Sequence, residues 1–151
     1  MIKEFIEKWD KYKNDLEDYF RYTEQIEYDE YEKIVKILFE KIINKDLEYD
    51  SERFNVEDLL KIDDGDYQGT QIFILHKDSY QPNVEEYVYT STYYGSCSGC
   101  DTLQAISSYD GGLPDEKQIK DYMTLALHLL QKCHYMQGEE WMKYNYPQLE
   151  R

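Results

Sequence analysis

The hydrophobic positions change period twice along the chain. In "EYDEYEKIVKILFEKIINKDL", Tyr31, Ile34, Val35, Leu38, Ile42 and Ile43 recur at intervals of three and four. This spacing predicts an amphipathic helix with Lys33, Lys36, Glu40 and Lys41 largely outside its apolar stripe. The preceding "IKEFIEKWDKYKNDLEDYF" repeats the pattern more weakly, with Phe5, Ile6, Trp9 and Leu16 as anchors, and a break is expected near Thr23 to Asp29. The period then shortens to two. "TQIFILHK" and "EEYVYTSTYY" are rich in β-branched and aromatic residues, and in the second the set Tyr87, Tyr89, Ser91, Tyr93 alternates with Val88, Thr90, Thr92, Tyr94. The connection "DSYQPNV" contains Pro82 and turn-forming residues, so the two runs predict an antiparallel hairpin over about 70–77 and 86–94 with a long loop. "NVEDLLKI" reads equally as a short helix capped by Asn55 or as a further strand.

Helical spacing returns in the last third. Pro114 is placed as a first-turn proline, Asp115 and Glu116 suit the positive end of a helix, and Gly138 is the expected stop. Ile119, Tyr122, Met123, Ala126, Leu127, Leu130 and Cys133 fall on one arc, and a short helix over Glu139 to Lys143 should follow, packing through Trp141 and Met142. The prediction is an α+β fold, one domain over residues 1–151, in which a small antiparallel sheet is packed by N-terminal and C-terminal amphipathic helices. An acidic helical region occupies about residues 1–50 and an α+β remainder about 51–151.

Composition changes this picture in two respects. Of 151 residues, 17 are tyrosine, an excess that points to half-buried and interface positions because the ring packs while the hydroxyl stays at an edge. The formal net charge is −15, and residues 1–66 carry 21 acidic against 11 basic side chains. Direct binding to a nucleic-acid backbone is disfavoured, since it needs clustered cations, and a basic protein partner is expected instead. No window reaches the roughly 18 apolar residues of a membrane span, and Met1 to Phe20 has no secretory core, so a cytoplasmic protein with no membrane contact is expected.

Candidate chemistry centres on "GSCSGCDTLQ", where a strand ends, passes through Cys97 and Cys100, and opens a helix. Asp101 and Gln104 form a D-x-x-Q capping box that places Cys100 just outside the helix. Three uses compete. A C-x-x-C pair can carry thiol chemistry, although no β-α-β unit precedes it. Cys97 and Cys100 could join Cys133 and His134 as four zinc ligands, the only cofactor considered, although adjacent ligands on a helix are unusual. The small residues Gly95, Ser96, Cys97, Ser98, Gly99 and Cys100, with Asp101, could bind a small anionic ligand through backbone amides, or form a plain turn whose cysteines pack. "DGDYQG" copies the start of a calcium loop but reaches Leu75 where a bidentate glutamate is required, which favours a turn into the strand. His76 has no partner evident in sequence, and His128 falls on the polar side of its helix. No hydrolase triad, phosphate loop or H-E-x-x-H motif is present, so no catalytic residue is assigned.

The blocks "DDGDYQGT", "YQP", "YYGSCSGCDTLQAI" and "DYMTLALHLLQK", between Asp63 and Lys132, resemble a group of small uncharacterised proteins encoded by bacteriophages. The resemblance implies expression in the bacterial host cytoplasm and supplies no activity, cofactor or catalytic residue. The leading expectation is a non-enzymatic acidic protein that engages a basic host protein surface, presenting carboxylates where that surface expects phosphates. The alternatives are a ligand-binding, zinc-binding or thiol-active protein using the Cys97/Cys100 turn, and a virion or assembly component acting through helix pairing.

Overall fold

The computed structural model describes residues 1–107 and 111–136. Helix α1, Lys3–Arg21, turns Phe5, Trp9, Leu16 and Phe20 inward. Along it Lys3–Glu7 and Glu4–Lys8 pair at i, i+4, and Lys8 also donates to the Ile43 carbonyl at 2.8 Å. A loop containing Tyr28, with φ of 59°, reverses the chain. Helix α2, Tyr31–Leu38, continues into a π-helical turn over Phe39–Ile43. All six apolar positions of the predicted stripe are buried, and the wider π-turn brings Phe39 into the core as well. Asn44 then holds the next segment by pairing its side-chain amide with both backbone groups of Phe54, at 2.8 and 2.9 Å.

The sheet is four-stranded and antiparallel in the order β1 (Leu60–Asp63), β2 (Gly69–His76), β3 (Tyr87–Tyr94), β4 (His134–Tyr135), with two helices between the last two strands. The α+β architecture with a small helix-packed sheet is therefore present. The ambiguous "NVEDLLKI" divides: Asn55 caps a turn by accepting from the Asp58 amide at 2.9 Å, and the end of the segment forms strand β1. In the "DGDYQG" turn, Asp64 accepts from the amide of Thr70 at 2.7 Å, which closes the β1–β2 connection. Of the two predicted sets on β3, Val88, Thr90 and Thr92 face the core, while Tyr87, Tyr89, Ser91 and Tyr93 face away.

Three expectations for the C-terminal helix need correction. Helix α4 spans Glu116–Gln131 and its cap is Asp115, which forms a capping box with Gln118 at 2.8 and 2.9 Å. Pro114 therefore precedes the cap rather than occupying the first turn. Its buried arc includes Leu125 and Leu129, which the predicted stripe omitted, whereas Met123 and Leu127 are only half-buried. The helix also stops well before Gly138: after Lys132 the chain leaves it so that His134 and Tyr135 can pair with Tyr89 and Val88. Cys133 and His134 are thus not on the helix. Gly138, Trp141 and the short helix expected at Glu139 to Lys143 lie outside the described residues.

One apolar cluster joins these elements. Phe5, Phe39 and Phe54 meet edge to face with centroids 5.5–6.2 Å apart, and Phe73, Leu75, Val88, Ala126 and Leu130 are fully buried beside them. Burying each such large side chain stabilises the fold by roughly 1.5–3 kcal/mol. At the other end, Phe20 stacks on Tyr122 at 5.0 Å, and the Tyr122 hydroxyl donates to Gln25 at 2.9 Å. Arg21 forms an ion pair with Glu116 that closes α1 onto α4. Thr90 fastens the sheet to α4 by donating to the Leu129 carbonyl at 2.7 Å, one of the helix-end carbonyls without an ordinary helical partner.

Candidate functional site

The GSCSG turn hangs from a buried carboxylate. Asp101, 6% exposed, accepts through one oxygen from the Tyr31 hydroxyl (2.9 Å) and the Gln104 amide (3.0 Å), and through the other from the Gly95 amide (2.8 Å). The Tyr31 hydroxyl in turn accepts from the Leu103 amide at 3.0 Å. Burial holds that hydroxyl well above the usual tyrosine range, so it stays protonated and donates. The predicted cap is therefore real, but its second half differs: Gln104 donates to the Gly95 carbonyl at 3.2 Å instead of reaching back to the cap amide. One acidic side chain thus ties the end of β3, the start of α3 (Thr102–Ile106) and helix α2 together.

Between the fixed ends, Cys97 and Cys100 are both exposed free thiols whose sulfurs lie 2.8 Å apart. The turn is closed by the Cys100 amide donating to the Cys97 carbonyl at 3.0 Å, while the Cys97 amide donates to the Cys100 sulfur at 3.2 Å. Hydrogen bonding from the Cys97 thiol, followed by the amides of Cys97 and Ser96, holds the Cys100 thiol below its ordinary range. Gly95 is required here because a Cβ on it would come within 2.5 Å of the Cys100 carbonyl and 2.7 Å of its sulfur.

The other half of the predicted zinc set lies in a different environment. Cys133 is fully buried, and desolvation pushes its thiol up to about 12, while His134 sits exposed on β4 against the Tyr89 ring. Among the described residues, no three His, Cys, Asp or Glu side chains come together as a metal would require. His76 does have partners: it hydrogen-bonds the Lys77 carbonyl at 2.8 Å and lies 3.4 Å from Asp58.

A second feature is the outer face of the sheet, to which β3 contributes the set Tyr87, Tyr89, Ser91 and Tyr93. Registered across it are Leu60, Ile74, Tyr89 and His134 in one row, Ile62, Ile72 and Ser91 in the next, and Thr70 beside Tyr93. Helices pack on the opposite face, leaving Leu60 55%, Ile62 45% and Tyr93 55% exposed. These rows contain no Asp, Glu, Lys or Arg, although the chain carries 32 acidic residues. A carboxylate flanks the face at one end, where Asp58 approaches His76, whereas Asp63, which binds the Tyr94 hydroxyl at 2.6 Å, is in register with Gln71 and Thr92 on the helix side of the sheet. The alternation in β2 and β3 signals this face, but sequence alone does not show which side the helices cover.

No helix among the described residues is long and apolar enough to cross a membrane. Comparison with protein-family models, curated proteins and solved structures finds no match.

Proposed function

We propose that the protein is a binding protein whose outer sheet face docks onto a basic protein of its bacterial host. The observation that carries this reading is the uncovered, uncharged Leu60–Ile62–Ile72–Ile74–Tyr93 surface on a chain of net charge −15. From strand spacing the face spans about 350 Å² in projection, the size of the largest apolar patches on single proteins, which are often functional. A stable interface buries about 800 Å² on each partner, so an occupant must extend past the apolar centre onto its rim. The rim carries Asp58 beside His76, and the chain as a whole is strongly acidic, which favours lysine and arginine on the partner and makes association fastest at low salt. An apolar, tyrosine-containing centre with a charged border is the usual composition of such interfaces.

The test is capture from bacterial lysate by the wild-type protein and by an Ile62→Glu/Ile74→Glu variant of confirmed fold. Ion exchange onto an acidic protein would survive or strengthen with two added carboxylates. Docking through the face predicts a discrete partner, lost from the variant and weakened by salt in the wild type. Retention of the same proteins by the variant would refute the reading.

A further inference from the structure

The Cys97/Cys100 pair is not explained by the sheet face. Packing does not account for it, because both thiols are exposed while Cys133 is the cysteine that fills the core. Nor does capping, which Asp101 performs with its own carboxylate. The turn instead holds two sulfurs 2.8 Å apart, and a disulfide bond is about 2.05 Å, so closure requires less than about 1 Å of approach. Its ends are fixed by the Asp101 bonds to Gly95 and Gln104, so the entropy of bringing the thiols together has already been spent in folding.

We propose that Cys97 and Cys100 form a surface dithiol that reduces accessible disulfides by thiol–disulfide exchange, with Cys100 as the attacking sulfur. The Cys100 thiolate accepts hydrogen bonds from the Cys97 amide and thiol, which stabilise its charge before attack. It attacks one sulfur of a substrate disulfide R–S–S–R′: the Cys100–S–R bond forms, the S–S bond breaks, and R′ leaves as a thiolate that takes up a proton. Cys97 then loses its proton and attacks Cys100, forming the Cys97–Cys100 disulfide and releasing R as its thiol. Two electrons pass from the dithiol to the substrate, which becomes two thiols. A reduced small thiol returns the loop to its starting state by the reverse exchange.

Oxidised glutathione is the probe. The fully reduced wild-type protein is mixed with it under native conditions, and intact mass and peptide maps are followed over time. The expected product has lost two hydrogens, maps to a Cys97–Cys100 link, keeps no glutathione, and leaves Cys133 unmodified. A Cys97→Ser variant should instead retain one glutathione on Cys100. A Cys100→Ser variant should react at Cys97 about tenfold more slowly, having lost the thiolate-stabilised member of the pair. Separate glutathione adducts on both cysteines without ring closure would overturn the proposal, as would equal rates for the two variants. The wild-type map decides closure even if a variant misfolds.

Discussion

Replacing Asp101 with asparagine removes one charge while preserving shape, and the structure sets its cost. The carboxylate serves three donors with two oxygens: Tyr31 and Gln104 on one, Gly95 on the other. Asparagine offers one carbonyl oxygen, which can keep Tyr31 and Gln104, but its NH2 then faces the buried Gly95 amide, donor against donor. Rotating the amide transfers the loss to the other two partners. A hydrogen bond to a charged group contributes about 1.5–3 kcal/mol, and an orphaned buried N–H costs about 1–3 kcal/mol. The terms overlap, so Asp101→Asn should destabilise by about 3 kcal/mol. That is a large share of the roughly 5–15 kcal/mol that holds a domain folded. For a chain of this length it lowers Tm by about 6–12 °C. Urea unfolding followed by far-UV circular dichroism gives the value directly, with an unchanged m showing that the denatured state is unaffected. Tyr31→Phe removes both the donor to Asp101 and the acceptor of the buried Leu103 amide, so it should cost a comparable amount, about 2–3 kcal/mol. A loss below about 0.5 kcal/mol for Asp101→Asn, as expected of an unremarkable surface change, would refute the view that this carboxylate anchors the turn.

Other perturbations test different joints. Gly95→Ala places a methyl group against the Cys100 carbonyl and sulfur; it should cost about 1–3 kcal/mol and slow ring closure by glutathione, measured by chemical unfolding and mass spectrometry. Thr90→Val keeps the shape but withdraws the donor from the Leu129 carbonyl, and should cost about 1 kcal/mol in the same unfolding assay. Lys11 beside Asp46, Tyr94 beside Asp63 and the Asn83 amide beside Glu86 hold these carboxyls below their ordinary range. The unfolded chain therefore binds more protons than the folded one as these groups titrate. Their stabilisation is complete above the ordinary carboxyl range and is lost as pH falls through the depressed folded values, so Tm should fall below about pH 4. Asp63→Asn should make that fall shallower.

Local periodicity specifies much of this fold because burial follows it residue by residue. Every position predicted for the stripe of the second helix is buried, and the alternation in β3 separates core from outer face correctly. One failure occurs where a distant contact overrides local pattern, and another where a local signal stands unused. Carrying the α4 stripe to Cys133 placed it and His134 on a helix, whereas pairing with β3 draws the chain out of the helix at Lys132. The same D-x-x-Q signal stands at Asp101 and Asp115, and reading it only at the first misplaced Pro114. The C-x-x-C turn was legible as a strand-to-helix junction. Its buried support was not, because Tyr31 lies 70 positions from Asp101 in the chain.

The closure of α1 onto α4 also orders events during synthesis. Gln25 and Tyr122, which bond across this seam, are 97 positions apart. At a translation rate of about 5–20 residues per second, the first helices wait roughly 5–20 s for the surface that covers them. Through that interval Phe5 can find Phe39 within the same nascent segment, but Phe20 meets only the edge of the adjacent Tyr19 ring until Tyr122, on which it stacks, is made. The nascent chain therefore presents a half-finished apolar layer to the cell, a target for holding chaperones and a point at which crowded expression diverts it to aggregates.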